Sequence, residues 1–503
     1  MHTKRELESV SPAFAGSPDL PGSWQGRALI ALSMVPFLVL AAIHWPLGPL
    51  LRVSDYAQYI LHAEALLSGR SYTDIGFLFS PYAPFAGPEA YPPGRSLALV
   101  PLLAAFGRNA ALMKLFEIAC VVAWLWCAAR YLERRAGIWI ACGAIMMTGV
   151  AVEDAFATNV VNSDLGYAAL TWGMLLAADR DGAWGWRRVL AVLLLGTAAM
   201  LYRVVGITAV PALALYAMAH WRRGGRLATV PVLVWCAVAV VALAVLPITT
   251  QYPRTVLTDP ASLPARIMIN LGPPRTALLA SLLYPFTVDL LNDIYHVLAA
   301  VLMGVGAIVY LRRNARCFLT FFLVCYAGFL LVAPAAVARY WWPLFPVTAA
   351  WLLVGIRQLA VRLHRESRLA TRAPFVFSVL LVIGAVAVSA AQPAPATIST
   401  HADAHALFAA LRNNPEMANA RVYFVSPRVL TLETGVTAMP FLGVTEEKLL
   451  YELRANRITH VVSGDFGAGR KAERTLAAAI ARHPALFEPL YQNGSFRLYR
   501  FRR

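Results

Sequence analysis

The stretch AGIWIACGAIMMTGVAVEDAFATNVVNSDLGYAALTWGMLLAA, residues 136–178, shows the pattern that recurs through most of the chain. Two apolar runs, 136–152 and 163–178, are separated by a polar segment that holds Glu153 and Asp154. An α-helix rises about 1.5 Å per residue, so about 20 apolar residues cross about 30 Å of hydrocarbon. Each run approaches that length, and the stretch therefore predicts two membrane-spanning helices joined by an acidic loop.

The composition is typical of a chain whose main solvent is lipid. Of the 503 residues, 59% are hydrophobic and only 14% are charged, and the mean hydropathy is +0.59. Soluble domains rarely exceed about half apolar residues. The net charge of +17 would suggest nucleic acid in a soluble protein, but most arginines stand in short clusters between apolar runs, where they act as topology signals. We therefore expect a membrane, and no nucleic acid, as partner.

The same apolar pattern predicts about eleven transmembrane helices. They lie at 28–45, 110–130, 136–152, 163–178, 188–202, 204–220, 228–248, 290–311, 317–334, 341–360 and 374–391. A run from Ser96 to Phe106 is too short to cross alone, and it predicts a half-helix or an interfacial helix. The first run is interpreted as a retained helix and not as a signal peptide, because many spans follow it.

Arginines divide the loops between these spans into two alternating sets. The basic set comprises five loops with Arg130, Arg134, Arg135, Arg180, Arg187, Arg188, Arg222, Arg223, Arg226, Arg312, Arg313, Arg316, Arg357, Arg362, Arg365, Arg368 and Arg372. The positive-inside rule puts these loops in the cytoplasm, together with the polar tail 1–27, which we expect to be disordered. Eleven spans then put the C-terminus on the outer face of the plasma (inner) membrane.

After the last span the composition becomes that of a soluble domain. Residues 393–503 begin with a Pro-containing linker and hold the strand-like runs VYFVS at Val422 and HVVSG at His460. A helix is predicted from Glu446 to Asn456 between them. Asn493-Gly494, between two alternating runs, indicates a β-hairpin. The predicted fold is therefore an α-helical polytopic membrane module, 28–392, followed by a small extracytoplasmic α/β domain.

The six cysteines favour neither a zinc site nor a disulfide framework. They all lie in or beside apolar runs, and the sequence contains no CxxC pair. We interpret them as small buried hydrophobic residues. No metal ligands are assigned, although a divalent metal requirement is left open.

The long first outer loop, 46–109, holds the first candidate site residues. Residues from Ser54 to Leu67 predict a helix that Gly69 ends, and Asp55, Tyr59 and His62 share one face of it at helical spacing. Asp55 stands where the first span meets the outer surface, at the expected mouth of a cavity. The alternative is an interfacial helix whose polar face simply meets water.

Further charged residues interrupt apolar regions. Glu153 and Asp154 end one span, and Asp164 begins the next, where it is either a helix cap or a cavity residue. Arg203 and Arg339 belong to no cytoplasmic cluster, so topology does not explain them. They are either snorkelling side chains or ligands for phosphate, which the planar guanidinium binds in a bidentate way.

At this point the chain resembles the GT-C superfamily of lipid-phosphate-sugar glycosyltransferases, including the protein mannosyltransferases and the lipid A aminoarabinose transferases. The resemblance runs from about Leu29 to Ala360 and is based on four motifs in order. They are SDYAQYILHAEALLSGRSY around Asp55, AYPPGRSLALVPLLAAFG from Ala90, LYRVVG around Arg203 and ARYWWPLFP around Arg339.

The resemblance implies an inverting sugar transfer from a polyprenyl-phosphate donor to a lipid, glycan or protein acceptor on the outer face. Asp55 would be the catalytic base. Arg203 and Arg339 would bind the phosphate and stabilise the leaving group. Tyr59, His62, Tyr91, Asp154, Asp164 and Tyr340 would complete the substrate-binding set.

Two departures and two rival functions remain. Many relatives have Asp-Glu where this chain has Asp55-Tyr56, and this difference weakens an assignment to protein O-mannosylation. The WWDYG motif of oligosaccharyltransferases is absent, because Trp342 is followed by Pro343. A transporter or flippase of a lipid-linked or anionic substrate also lines a cavity with charge, but no inverted repeat is visible. A non-catalytic scaffold is the other alternative.

Overall fold

The computed structural model describes residues 23–45, 55–78, 88, 91–154, 157–179, 184–224, 226–245, 263–333, 337–364, 368–392, 401–440, 445–464 and 471–502. The predicted tail up to residue 22, the start of the first outer loop at 46–54 and most of the linker at 393–400 lie outside these ranges. The described part is predominantly helical, with one small sheet near the C-terminus.

Sixteen helices are described up to residue 392. They are α1 Trp24–Leu32, α2 Val35–Ile43, α3 Asp55–Leu67, α4 Gly94–Phe106, α5 Ala110–Ala136, α6 Ile138–Asp154, α7 Ser163–Ala178, α8 Trp186–Tyr202, α9 Ala209–Gly224, α10 Arg226–Val245, α11 Leu263–Asn270, α12 Gly272–Ser281, α13 Asp289–Asn314, α14 Phe318–Val332, α15 Phe345–His364 and α16 Arg368–Ala390. Short 3₁₀ segments, Val204–Thr208 and Ala338–Leu344, precede α9 and α15.

Each of the eleven predicted spans falls on helical residues, although span 28–45 is divided between α1 and α2, and spans 204–220 and 341–360 each begin in a 3₁₀ segment. Within the described residues, five helical stretches are long and apolar enough to cross a membrane, and they are Trp24–Ile43, Ala110–Ala136, Asp289–Asn314, Ala338–Leu363 and Ala370–Ala390. Shorter apolar helices include Gly94–Phe106, where the sequence predicts a half-helix. The apolar pattern predicts no span for α11 and α12, which are two short helices between α10 and α13.

Helices α13 and α15 approach each other most closely at two glycines. A Cβ added at Gly306 would lie 1.7 Å from the carbonyl oxygen of Trp351, and one added at Gly355 would lie 2.0 Å from that of Leu302. Small residues let helix backbones pack closely where lipid gives no hydrophobic drive for helix association. Because α15 directly follows the segment 338–344, this contact helps to fix the position of the backbone that carries Arg339.

A buried tryptophan holds the same segment against α7. Trp172 is fully buried, and its indole N–H donates to the carbonyl oxygen of Pro343 at 2.7 Å. A buried indole needs such a partner. Since Asp164 lies on α7 and Arg339 on the 3₁₀ segment, this hydrogen bond sets their relative position.

Helix α3 ends as the sequence predicts. Gly69 has φ +69°, its N–H donates to the carbonyl oxygen of Leu66 at 3.2 Å, and that of Arg70 donates to Ala65 at 2.8 Å. This is the glycine-terminated helix end in which a left-handed residue satisfies the last carbonyls. The chain then turns toward the C-terminal sheet.

The C-terminal part is a five-stranded mixed sheet with helices. The strands are β1 Arg421–Phe424, β2 Thr437–Pro440, β3 His460–Gly464, β4 Phe487–Gln492 and β5 Phe496–Phe501, in the order β2-β1-β3-β5-β4. The helices are α17 Ala402–Asn413, α18 Pro427–Thr434, α19 Glu446–Ala455 and α20 Lys471–Arg482. The strands at Val422 and His460, the helix at Glu446 and the hairpin at Asn493 are where the sequence predicts them, whereas β2 was not predicted.

The first outer loop joins this sheet at its β2 edge. The N–H of Leu78 donates to the carbonyl oxygen of Ala438 at 2.8 Å, and the N–H of Ala438 donates to that of Gly76 at 3.1 Å. Phe77 thereby pairs with Ala438 as a short parallel bridge. The C-terminal sheet and the loop that carries Asp55 are therefore held together by backbone hydrogen bonds.

Candidate functional site

Charged side chains at the ends of four helical segments come together at one place. Asp55 is the first residue of α3, and Asp164 lies in the first turn of α7, where its N–H donates to the Asn162 side chain at 2.8 Å. Arg203 stands at the end of α8 with an extended backbone, and Arg339 lies in the 3₁₀ segment before α15. Helix ends suit this task because their backbone is not committed to further helical hydrogen bonds.

These elements enclose a cavity of about 620 Å³, its open mouth included. Its lining includes Asp55, Tyr59, Tyr91, Ser163, Tyr202, Arg203, Arg339 and Tyr340, together with apolar side chains of α14. The cavity therefore combines charged groups with aromatic and aliphatic walls.

One half of the site is an ion pair between α7 and α8. Arg203 Nη1 lies 2.7 Å from Asp164 Oδ1 and donates to the Ser163 hydroxyl at 2.8 Å. That hydroxyl is also 2.7 Å from the hydroxyl of Tyr59. The Arg203 guanidinium lies 4.5 Å from the ring centre of Tyr340, a cation–π distance. Its position is therefore fixed on three sides.

The other half is centred on Asp55. Its Oδ2 accepts a hydrogen bond from Arg339, and its Oδ1 accepts one from the Tyr91 hydroxyl at 2.8 Å and one from Arg428 Nη1 at 2.8 Å. Arg339 Nε also lies 3.7 Å from Asp164 Oδ2. Arg339 therefore stands between two carboxylates and links the halves of the site.

The arginines keep the Asp55 carboxyl ionised. Burial alone raises its pKa, but the charges of Arg339 and Arg428 and the hydrogen bonds from Arg339 and Tyr91 act against burial and outweigh it. The net result is a pKa of the Asp55 carboxyl well below its usual value. In this arrangement Asp55 is a charged but weak base.

Arg428 was not predicted from the sequence. It lies at the start of α18 in the C-terminal part, is buried, and stacks against the rings of Phe77 and Tyr91 at 5.1 Å each. Burial lowers the pKa of its guanidinium, and the nearby Tyr91 and Asp55 raise it above the usual value. Ser163 and Tyr202 were also missed, because neither stands out in an apolar span without the folded contacts.

One predicted substrate-binding residue, His62, and the acid Glu153 take other positions, and the side chain of a second predicted residue, Asp154, is not described. His62 is buried, its Nδ1 lies 2.6 Å from the carbonyl oxygen of Tyr72, and its ring stacks on that tyrosine at 4.0 Å, away from the cavity lining. Burial lowers the pKa of His62 to about 4, so the ring is neutral. Glu153, at the end of α6, accepts a hydrogen bond from Thr158 at 2.6 Å. The side chain of Asp154 lies outside the described part.

Among the described residues no group of three His, Cys, Asp or Glu side chains comes together as ligands for a metal ion. The six cysteines have free thiols.

Neither a family model nor a curated protein matches the sequence, but solved structures do. ArnT from Cupriavidus metallidurans bound to undecaprenyl phosphate has a TM-score of 0.55 and 14% identity, covering 94% of this chain and 97% of that chain. Its apo state gives 0.56 and 13% at 94% and 98% coverage. The archaeal oligosaccharyltransferase AglB from Archaeoglobus fulgidus, in complex with an inhibitory peptide and a dolichol-phosphate, gives 0.59 and 11%, covering 88% of this chain and 69% of that chain.

Both proteins are GT-C glycosyltransferases. The chain has the GT-C fold. This confirms the predicted fold class and the resemblance on which it was partly based. Identities of 11–14% establish the GT-C fold alone. Together with the apolar helices, the fold identifies a membrane protein.

Proposed function

We propose that the protein is a membrane-embedded inverting glycosyltransferase that moves a sugar from a polyprenyl-phosphate donor to an acceptor on the outer face of the membrane. The observation that carries the proposal is the ion pair between Asp55 and Arg339 at one cavity. A base and a phosphate-binding cation are the two groups that this reaction needs side by side. The fold shared with ArnT, bound to undecaprenyl phosphate, supports the donor class.

The charge balance of the site suits one phosphate group. Three guanidinium groups, those of Arg203, Arg339 and Arg428, meet the two carboxylates of Asp55 and Asp164. Three positive and two negative charges leave an excess of one positive charge, which matches the single negative charge of a phosphodiester. Arg203 and Arg339 take the phosphate oxygens in this proposal, and Tyr340 flanks both guanidiniums.

The transfer step is a single displacement. Asp55 accepts the proton of an acceptor hydroxyl while that oxygen forms a bond to the anomeric carbon of the donor. The bond between the anomeric carbon and the phosphate oxygen breaks, and its electron pair remains on the phosphate. The attack comes from the face opposite the leaving group, so the configuration inverts. The leaving phosphate gains charge in the transition state, where the arginines stabilise it most.

The contact between Arg339 and Asp55 gives a reason why Asp55 becomes an active base only when the donor is bound. In the structure Arg339 donates to Asp55 and holds the pKa of that carboxyl low. A donor phosphate competes for the same guanidinium. Once Arg339 turns to the phosphate, the pKa of Asp55 rises toward its usual value, and the carboxylate becomes a better proton acceptor.

The proposed topology places the C-terminal sheet outside, with Arg223 in the cytoplasm. Single cysteines introduced at exposed positions such as Tyr451, which is 63% exposed, test this in intact cells. An impermeant thiol reagent should label the C-terminal cysteine in a background without the native cysteines and should not label one at Arg223. The reverse labelling pattern would reject the assignment.

The function itself is tested by the lipid-linked sugars of cells with and without the gene. Loss of the gene should cause a polyprenyl-phosphate sugar to accumulate, and the parent protein should reverse this. Asp55→Asn should not reverse it, whereas Asp74→Asn should, because Asp74 is an exposed acid of the same loop and its ion pair with Arg70 is exposed too. An unchanged lipid profile, or full complementation by Asp55→Asn, would reject the proposal.

A further inference from the structure

A second cavity lies on the neighbouring face of α3. Asp55 and Tyr59 line the first cavity, whereas Tyr56 and Ile60 line the second. Successive residues of a helix are about 100° apart, so the two pairs form adjoining stripes. The second cavity, about 650 Å³ with its mouth, also touches the start of α5, the segment 158–161 and the end of α18.

The floor of this cavity is polar and buried. Lys114 is 2% exposed, and its ammonium donates to Asn159 Oδ1 at 2.7 Å and to the His44 carbonyl oxygen at 3.4 Å. Glu117, one turn further along α5, is fully buried. Its Oε1 forms an ion pair with Arg95, which neutralises the carboxylate. Ionisable side chains on an apolar helix that face a cavity typically mark a functional site.

Two buried polar atoms of the lining have no hydrogen-bond partner within the described part of the chain. They are the hydroxyl of Tyr56, a residue 3% exposed, and Oε2 of Glu117. Most buried polar groups in proteins are hydrogen-bonded, so the unpaired acceptor and the unpaired hydroxyl give a ligand of this cavity two groups to bond. Lys114 adds an ammonium whose two acceptors among the described residues are neutral oxygens.

The hydrogen-bonding needs of these three side chains determine which kind of ligand fits the cavity. Glu117 Oε2 needs a donor, Lys114 needs acceptors, and the Tyr56 hydroxyl can serve as either. A phosphate group would satisfy Lys114 but would place anionic oxygens beside Glu117. An alkyl chain would leave the Tyr56 hydroxyl and Glu117 Oε2 unpaired. Vicinal hydroxyls supply both donors and acceptors, and the C–H faces of a sugar ring fit the apolar walls formed by Ile60, Met113 and Val161.

We propose that this cavity binds a sugar residue of the acceptor, next to the site that receives the donor. The inference rests on the proposed function, because only a glycosyl transfer calls for a second hydroxyl-bearing substrate beside Asp55. The mouth is open, since the side chains of Arg108 and Glu433 are 49% and 29% exposed. Arg108 donates to the carbonyl oxygen of Leu432 at the end of α18, the helix whose first turn brings Arg428 to Asp55.

The test is photolabelling of the full-length protein in nanodiscs with a diazirine-bearing alkyl glucoside. Mass spectrometry should locate the label on peptides of α3 and α5. Tyr56→Phe removes only an unpaired hydroxyl and should lower labelling about fivefold, the usual effect of one neutral hydrogen bond. Ile60→Phe fills the cavity and should abolish labelling. Tyr59→Phe, on the first cavity, should leave it unchanged.

The alternatives give different results. Equal labelling by a sugar-free alkyl diazirine, or no effect of Tyr56→Phe, would mean that the cavity holds only water or lipid and would overturn the inference. Displacement of the label by undecaprenyl phosphate would overturn the assignment to the acceptor. Labelling needs no turnover, so sugar-specific labelling without any sugar transfer would reject the proposed function alone. Transfer with no sugar-specific labelling would reject the cavity alone.

Discussion

We expect Asp55→Asn to lower turnover and, at the same time, to raise the affinity for the polyprenyl phosphate. The amide keeps an oxygen that accepts from Arg428 and Tyr91, so the local fold should persist. It removes the base, and general-base catalysis typically contributes about 10²–10⁴-fold, so turnover should fall by that factor. It also removes the negative charge with which Arg339 pairs in the structure. Affinity for the polyprenyl phosphate should therefore rise.

The size of that rise follows from the exposure of the ion pair. A hydrogen bond between charged groups contributes about 1.5–3 kcal/mol. The side chains of Arg339 and Asp55 are 28% and 21% exposed, so solvent screening places the value just below this range, at about 1.4 kcal/mol. This free energy corresponds to about a tenfold lower Kd for undecaprenyl phosphate.

The assay pairs two measurements on purified protein in nanodiscs. Binding of undecaprenyl phosphate is measured by thermal shift or calorimetry, and sugar transfer is followed in single-turnover experiments with a labelled polyprenyl-phosphate sugar. Asp74→Asn is the matched control and should change neither. If Asp55→Asn retains turnover within a few-fold, Asp55 is not the base and Asp164 becomes the candidate. If it binds undecaprenyl phosphate more weakly, the competition for Arg339 is wrong.

Three further outcomes follow from the same contacts. Arg339→Ala should lower both undecaprenyl phosphate affinity and turnover, and Arg339→Lys should recover only part of each, because a point charge does not replace the bidentate fork. Arg428→Gln should raise the pKa of Asp55, since Arg428 is one of the charges that depress it; the acid limb of kcat/KM against pH should then move to higher pH. Gly306→Ala places a Cβ on the backbone of α15 and should destabilise the fold by about 1–3 kcal/mol, measured as a lower Tm, whereas Gly304→Ala on the same helix meets nothing within 4 Å and should not.

The helices of the membrane module were predictable because lipid imposes a simple rule on sequence. A spanning helix must satisfy its own backbone hydrogen bonds and present about 20 apolar residues, so hydropathy alone finds it. The pattern gives no sign of α11 and α12, which have 8 and 10 residues and are too short for that rule. Strand β2 was missed for a similar reason, since its four residues, TAMP, include a proline and show no clear alternation.

The site residues divide according to the range of the information that places them. Asp55, Arg203 and Arg339 are charges that interrupt apolar segments, and such interruptions are visible in sequence. Arg428 contacts Asp55 across 373 residues, and only the folded sheet brings it there. His62 shares the helical face of Asp55, but seven residues along a helix amount to about 10 Å. Helical periodicity predicts which face of the helix a side chain lies on but not which distant residue it contacts. The shared face was therefore predicted, and the contact of His62 with Tyr72 was not.

The sharing of Arg339 between two carboxylates has a consequence for the order of events in the proposed reaction. Before the donor arrives, Asp55 is held by Arg339 and Arg428 and is too weak a base to activate a hydroxyl of water or acceptor. A donor phosphate draws Arg339 away from Asp55, which then keeps its contacts with Arg428 and Tyr91. Arg339 therefore has two effects: it stabilises the charge on the leaving phosphate, and its movement away from Asp55 makes that carboxylate a stronger base. Because Arg339 also faces Asp164, it does not have to leave the site to do this. Donor binding and base activation are then one movement of one side chain, and a hydroxyl that arrives before the donor meets a carboxylate that cannot yet take its proton.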